Sequence, residues 1–205
     1  DHMPSLMEML SDFAAAMPPD NITMEAIKSY FTAASGRKAE CITSFSSAFK
    51  YSSATFSDVC YVLGAPEFVL KEDYNTYRDE IEAEAAKGRR VLVFGSFDGV
   101  PDSGELHGEF NPLGMITLTN PIREDAPETF QYFSEQGVDI KVISGDNPVA
   151  VSEIAKQANI ANAENYVDAS TLNEKSDIQD AVSKYTVFGR VTPDQKRELV
   201  RALKS

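Results

Sequence analysis

From residue 112 onward, short apolar runs alternate with amphipathic stretches, and this alternation restricts the fold more than any other feature of the chain. Met115 to Thr119 reads as a strand, Glu124 to Glu135 as a helix, and Val138 to Ser144 as a strand. Pro148 to Asn159 follows as a helix, with proline at its first position, where a missing N–H costs nothing. Tyr185 to Gly189 reads as a strand and Pro193 to Leu203 as a helix, opened by Thr192-Pro193-Asp194-Gln195 in the form of a capping box. Strands alternating with helices imply a parallel sheet covered by helices on its faces.

The first half has a different texture. Leu6, Met9, Leu10 and Phe13 lie on one face of a helix over Ser5 to Ala16, which Pro18-Pro19 ends. Thr23 is placed to cap a second helix running to Phe31, with Glu25 at the positive end of its dipole. Cys41 to Leu63 breaks into short segments rich in Phe, Tyr, Val, Ser and Thr, the pattern of an antiparallel sheet. Pro66 interrupts it, Glu67 to Leu70 makes a helical turn, and Tyr74 to Lys87 is a helix closed by Gly88. Val91 to Phe94 reads as a buried strand, and Gly95 to Pro112 is polar and rich in turn residues. The expected organisation is an α+β domain over residues 4–95, a connection over 96–111 and an α/β domain over 112–205. Residues 1–3 read as a cloning remnant.

Charge narrows the function. A net charge of −13 lacks the basic stripe that nucleic acid requires, so no nucleic-acid partner is expected. A few local cations still suffice to bind a nucleotide. No run of apolar residues is long enough to span a bilayer. Cys41 and Cys60 are not at metal-ligand spacing and read as reduced thiols.

The candidate chemistry begins with Phe45-Ser46-Ser47-Ala48-Phe49-Lys50. An adenine site needs a flat apolar face and a cation for phosphate, which Phe45 and Lys50 supply, although a strand phenylalanine is more often core. Gly64-Ala65-Pro66-Glu67 is by itself a tight turn with room for a ligand near the backbone. With Arg90-Val91-Leu92, Asn120-Pro121-Ile122-Arg123, Ser144-Gly145-Asp146-Asn147 and Arg190-Val191-Thr192-Pro193-Asp194-Gln195-Lys196, these segments resemble, in order, the motifs of the P-type cation-transporting ATPases.

That resemblance implies an antiparallel-sheet nucleotide-binding domain flanked by helices, followed by an incomplete Rossmann-like, haloacid-dehalogenase-type phosphorylation domain. It implies ATP and Mg2+ as cofactors, with Phe45, Lys50, Gly64, Ala65, Arg90 and Arg190 holding the nucleotide. Ser144, Asp146 and Lys196 would position the phosphoryl group, and no metal ligand is expected within the chain. Asp146 can also serve as a helix cap, a role that does not exclude the first, and the alternative for Arg190 is a surface ion pair. Three positions depart from the family pattern: Leu63 stands for a lysine, Asn120 for an aspartate, and Met24 for a glutamate that reads adenine.

The expected enzyme is a pump that forms an aspartyl phosphate at the cytoplasmic face of the plasma membrane. Its partners would be its own actuator and transmembrane domains. The lysine-less Gly-Ala-Pro-Glu resembles bacterial pumps for calcium or related divalent cations. The phosphorylated aspartate and the main Mg2+ ligands are expected outside the chain, leaving it inactive alone. Its second sheet would then lack a strand and offer an edge for self-association. A haloacid-dehalogenase-type phosphatase with a large cap, or a non-catalytic nucleotide-binding module, are the competing readings.

Overall fold

The computed structural model describes residues 3–119 and 122–204, which form two compact units. Asp1, His2, Asn120 and Pro121, on which the remnant and Asp-Pro readings bear, lie outside the described residues.

The first unit comprises residues 1–78 and 91–116. Helix α1 (Leu6–Ala16) starts at Ser5 in a reciprocal capping box. The Glu8 N–H donates to the Ser5 hydroxyl at 3.2 Å, and the Ser5 N–H to the Glu8 carboxylate at 3.1 Å. Helix α2 (Ile22–Tyr30) is capped by Asn21, whose side chain accepts from the Met24 N–H at 2.8 Å; the cap expected at Thr23 is therefore two residues earlier. Lys28 donates to the carbonyls of Ala14 and Met17, both at 2.7 Å, and so satisfies the end of α1.

Five strands follow, β1 (Cys41–Thr43), β2 (Tyr51–Thr55), β3 (Cys60–Gly64), β4 (Arg90–Phe97) and β5 (Phe110–Leu118), hydrogen-bonded in sequence order. β1 to β4 are antiparallel neighbours. Between β3 and β4 lie the short helix α3 (Pro66–Val69) and helix α4 (Tyr74–Ala85). The strand expected at Met115 to Thr119 is the end of β5, which joins this sheet rather than the parallel one. Periodicity reports a strand but not its partner.

Both faces of the sheet are covered. Phe13 of α1 meets Phe94 edge-on at 5.6 Å, and Phe94 meets Tyr61 at 5.2 Å. On the opposite face the Tyr51 hydroxyl donates to the Gly104 carbonyl at 2.6 Å, and the Thr43 hydroxyl to Pro101 at 3.5 Å. The turn-rich segment after β4 thus packs on the sheet, and β3 is buried along its whole length.

The second unit comprises residues 79–90 and 117–205. Its elements are α5 (Ala126–Glu135), β6 (Val142–Ile143), α6 (Pro148–Gln157), β7 (Tyr166–Asp168), α7 (Lys175–Lys184), β8 (Val187–Gly189) and α8 (Pro193–Leu203). The strands are parallel in the order β6-β8-β7. Successive residues of β8 point to opposite faces. Val187 packs with Val151, Ala155 and Ala163 on one side, and Phe188 with Ile178, Ala181 and Leu199 on the other. Helices therefore cover both faces, as the alternation required. Only Val142–Ile143 of the run from Val138 to Ser144 is paired, and β7 and α7 come from a stretch in which no element was expected.

Candidate functional site

The carboxyl ends of parallel strands are where open α/β sheets gather ligands. Ser144 follows β6 directly: its N–H donates to the Phe188 carbonyl at 2.9 Å, and its own carbonyl accepts from the Val191 N–H at 3.0 Å. The Ser144 hydroxyl accepts from the Asp146 N–H at 3.1 Å. The cap of α6 is Asn147, whose side chain accepts from the N–H groups of Val149 and Ala150 at 2.9 and 3.5 Å. The expected capping role of Asp146 thus belongs to its neighbour, and the Asp146 carboxylate pairs with the Arg90 guanidinium at 3.5 Å. Arg89, one residue earlier, is bound to Glu84 at 2.8 Å, together with Lys87.

Arg190 comes just after β8 with a left-handed backbone, φ 51°. Its N–H donates to the Asp146 carbonyl at 2.7 Å, and its guanidinium binds the Asp168 carboxylate at the end of β7. Partial burial pushes the Asp168 carboxyl up. Hydrogen bonds from the Ser170 hydroxyl and N–H, with the Arg190 guanidinium, outweigh that and hold it below the usual carboxylate range. Lys196 projects from the first turn of α8 with its side chain exposed. That turn is the expected capping box, Thr192 with Gln195, and the Gln195 amide also donates to Ala169 and Leu172 at 2.6 and 3.2 Å.

Ser144, Asp146, Arg90 and Arg190 are therefore brought together in the second unit. Asp168, Ser170 and the second role of Gln195 escaped the sequence reading. The available signal was Asp168-Ala169-Ser170 after Tyr166-Val167, a strand run ending in an Asx turn.

In the first unit, Phe45 is 39% exposed on the connection between β1 and β2, which also carries Lys50. The Lys50 N–H closes this loop on the Ser46 carbonyl at 2.7 Å. Its own carbonyl accepts from the Ala65 N–H at 2.8 Å, and Tyr51 lies opposite Gly64. The Phe45–Lys50 loop and the Gly64-Ala65 turn thus meet at one end of the sheet. Gly64 has a packing reason to be glycine, because a Cβ there would lie 2.6 Å from Val69 Cγ1 and 2.8 Å from the Lys50 carbonyl oxygen. Leu63 and Met24, two of the three departures, are both buried core residues.

An exposed aromatic and a lysine on one loop fit a nucleotide. No group of three metal-ligating side chains occurs among the described residues. No helix among them is long and apolar enough to cross a membrane.

Residues 22–205 match the family model of the haloacid dehalogenase-like hydrolases. The chain is 36% identical over 203 residues to the calcium-transporting ATPase CtpE of Mycobacterium bovis, covering 98% of this chain and 25% of that protein. It is 32% identical over 203 residues to the probable cation-transporting ATPase exp7 of Streptococcus pneumoniae, again covering 98% of this chain and 25% of the other. With the magnesium-transporting ATPase, P-type 1, of Salmonella typhimurium it shares 32% identity over 140 residues, 64% of this chain and 14% of that one. The chain spans about a quarter of the length of the first two of these relatives.

Proposed function

Since the chain belongs to the haloacid dehalogenase-like hydrolases, with P-type cation-transporting ATPases as its relatives, we propose that it is the nucleotide-handling part of such a pump. The first unit holds ATP, with Phe45 stacking on the base, Lys50 facing phosphate, and the Gly64-Ala65 turn shaping the floor of the site. The second unit handles the phosphoryl group through Ser144, Asp146 and Lys196, with Arg90 and Arg190 ordering the loops around them. In the whole pump a carboxylate outside this chain attacks the γ-phosphorus of ATP. The bond to the β,γ-bridging oxygen breaks, ADP leaves with that oxygen, and the carboxylate becomes an acyl phosphate, while Lys196 offsets charge on the transferring group. Mg2+ would be held chiefly by residues beyond the chain and supply charge neutralisation there. The relatives named for calcium favour calcium or a similar divalent ion as cargo, carried from the cytoplasmic face of the membrane with the pump's actuator and transmembrane domains as partners.

The observation that carries this reading is the junction of two motif segments distant in sequence. The Lys50 carbonyl accepts from the Ala65 N–H, so the aromatic loop and the Gly-Ala-Pro-Glu turn form one surface. Calorimetric titration of the chain with Mg-ATP is the test. Binding is expected, and Phe45→Ala should weaken it about tenfold or more, because stacking on a base is worth ~1–3 kcal/mol. Lys50→Ala should also weaken it. No turnover of ATP is expected from the chain alone. Undiminished binding in both variants would move the nucleotide elsewhere.

A further inference from the structure

Three loops at the carboxyl end of the parallel sheet are joined through one residue that none of the motifs contains. Asp168 accepts from the Ser170 N–H at 3.0 Å and its hydroxyl at 2.5 Å, and also binds the Arg190 guanidinium, 22 residues further on. Arg190 needs such support, because a left-handed backbone in a residue with a side chain costs on the order of 1 kcal/mol or more. Its N–H is held by the Asp146 carbonyl, and the next N–H, of Val191, by the Ser144 carbonyl. One residue later Thr192 caps α8, and Gln195 of that cap returns to the Ala169 and Leu172 carbonyls. Ala169 opens a 3-10 turn (Ala169–Thr171) that Asp168 itself caps.

These bonds close a ring. It runs from Asp168 to Arg190, through Thr192 to Gln195, and back to the turn beside Asp168. Lys196 is the next residue after Gln195. Ser144 and Asp146 are attached to the same ring through their carbonyls.

We propose that Asp168 is a positioning residue: through Arg190 it fixes the loop entering α8, and with it the place of Lys196 relative to Ser144. This rests on reading that end of the sheet as the phosphoryl-handling site. Arg190 then acts as a strut, its guanidinium engaged by Asp168, and the anion is met by Lys196 and the Ser144 loop. The depressed Asp168 carboxyl agrees with a pair that stays ionised at neutral pH.

The test uses the 15N-labelled chain, amide exchange, and titration with inorganic phosphate. Asp168→Asn should speed exchange at Arg190, Val191 and Lys196 by about tenfold, while Val187 and Phe188 in the core keep their protection. It should weaken the phosphate response of Ser144 and Lys196 by a similar factor, and Asp168→Glu, which keeps the charge, should recover most of it. Arg190→Lys should reproduce the effect at Val191 and Lys196, with the double variant no worse than either single one. Unchanged exchange at Lys196 in Asp168→Asn, or effects that add in the double variant, would overturn the proposal. A wild-type chain with no phosphate response at Ser144 or Lys196 would instead overturn the phosphoryl reading of this end, while the exchange data still decide the role of Asp168.

Discussion

Individual residues here are constrained by what touches them more than by what they are. A Cβ on Gly189 would lie 2.3 Å from the Pro148 Cα, backbone that cannot rotate away. Gly189→Ala should therefore cost about 2–3 kcal/mol or more, seen as a Tm lowered by roughly 4 °C or more. Gly64→Ala meets the side chain of Val69 as well as the Lys50 carbonyl, and a loss of about 1–3 kcal/mol is expected in urea denaturation. The two cysteines should also separate. Burial pushes the Cys60 thiol up, helped by nearby Cys41 and opposed by a hydrogen bond from Thr55, whereas Cys41 is exposed. One thiol, Cys41, should react with a thiol reagent in the folded chain, and two after unfolding.

The Asp168–Arg190 pair gives a pH dependence at the same scale. Asp168 is held below its ordinary range in the fold, despite its partial burial. Its contribution to stability is therefore fully present above the unfolded value of about 3.9 and is lost as pH falls through the lower, folded value. The stability difference between wild type and Asp168→Asn should be flat from about pH 7 to pH 5 and shrink below about pH 4. A difference that grew on acidification would contradict the pairing.

At the scale of elements, the signals that stood in the sequence were the local ones. Helix α8 begins and ends where its capping box and periodicity put it, because each of those interactions spans three or four residues. Cap identity was less legible where two candidates adjoin. Asp146 and Asn147 are both good capping residues, and only the backbone geometry selects Asn147. Asn147→Ala should accordingly cost about 1 kcal/mol of stability, and Asp146→Ala much less, measured by thermal denaturation. Strand pairing was not legible at all for β5, whose run looks alike whether its neighbour is β4 or a parallel strand. β7 is three residues long and its role comes from Arg190, far along the chain. Such short segments carry too little periodicity to announce themselves.

For the whole molecule, the two units each have their own core, and the proposed chemistry divides between them. The parallel sheet ends in β6, with two paired residues, and β7, with three. Edges so short are poor templates for another chain, and a net charge of −13 opposes close approach of copies. Sedimentation velocity should therefore show a monomer, and a dimer that dissolves on introducing a charge at Val142 would show the β6 edge in use.

The alternation of strands and helices, the cap of α8 and the family motifs were readable in the sequence, since each is a pattern over a few neighbouring residues. The meeting of the Lys50 loop with the Gly64 turn was decided only by the tertiary structure. So were the burial of Leu63 and Met24 and the ring through Asp168. Each of these depends on hydrogen bonds or packing between segments far apart in the chain, and no local pattern encodes which distant partner a residue will find.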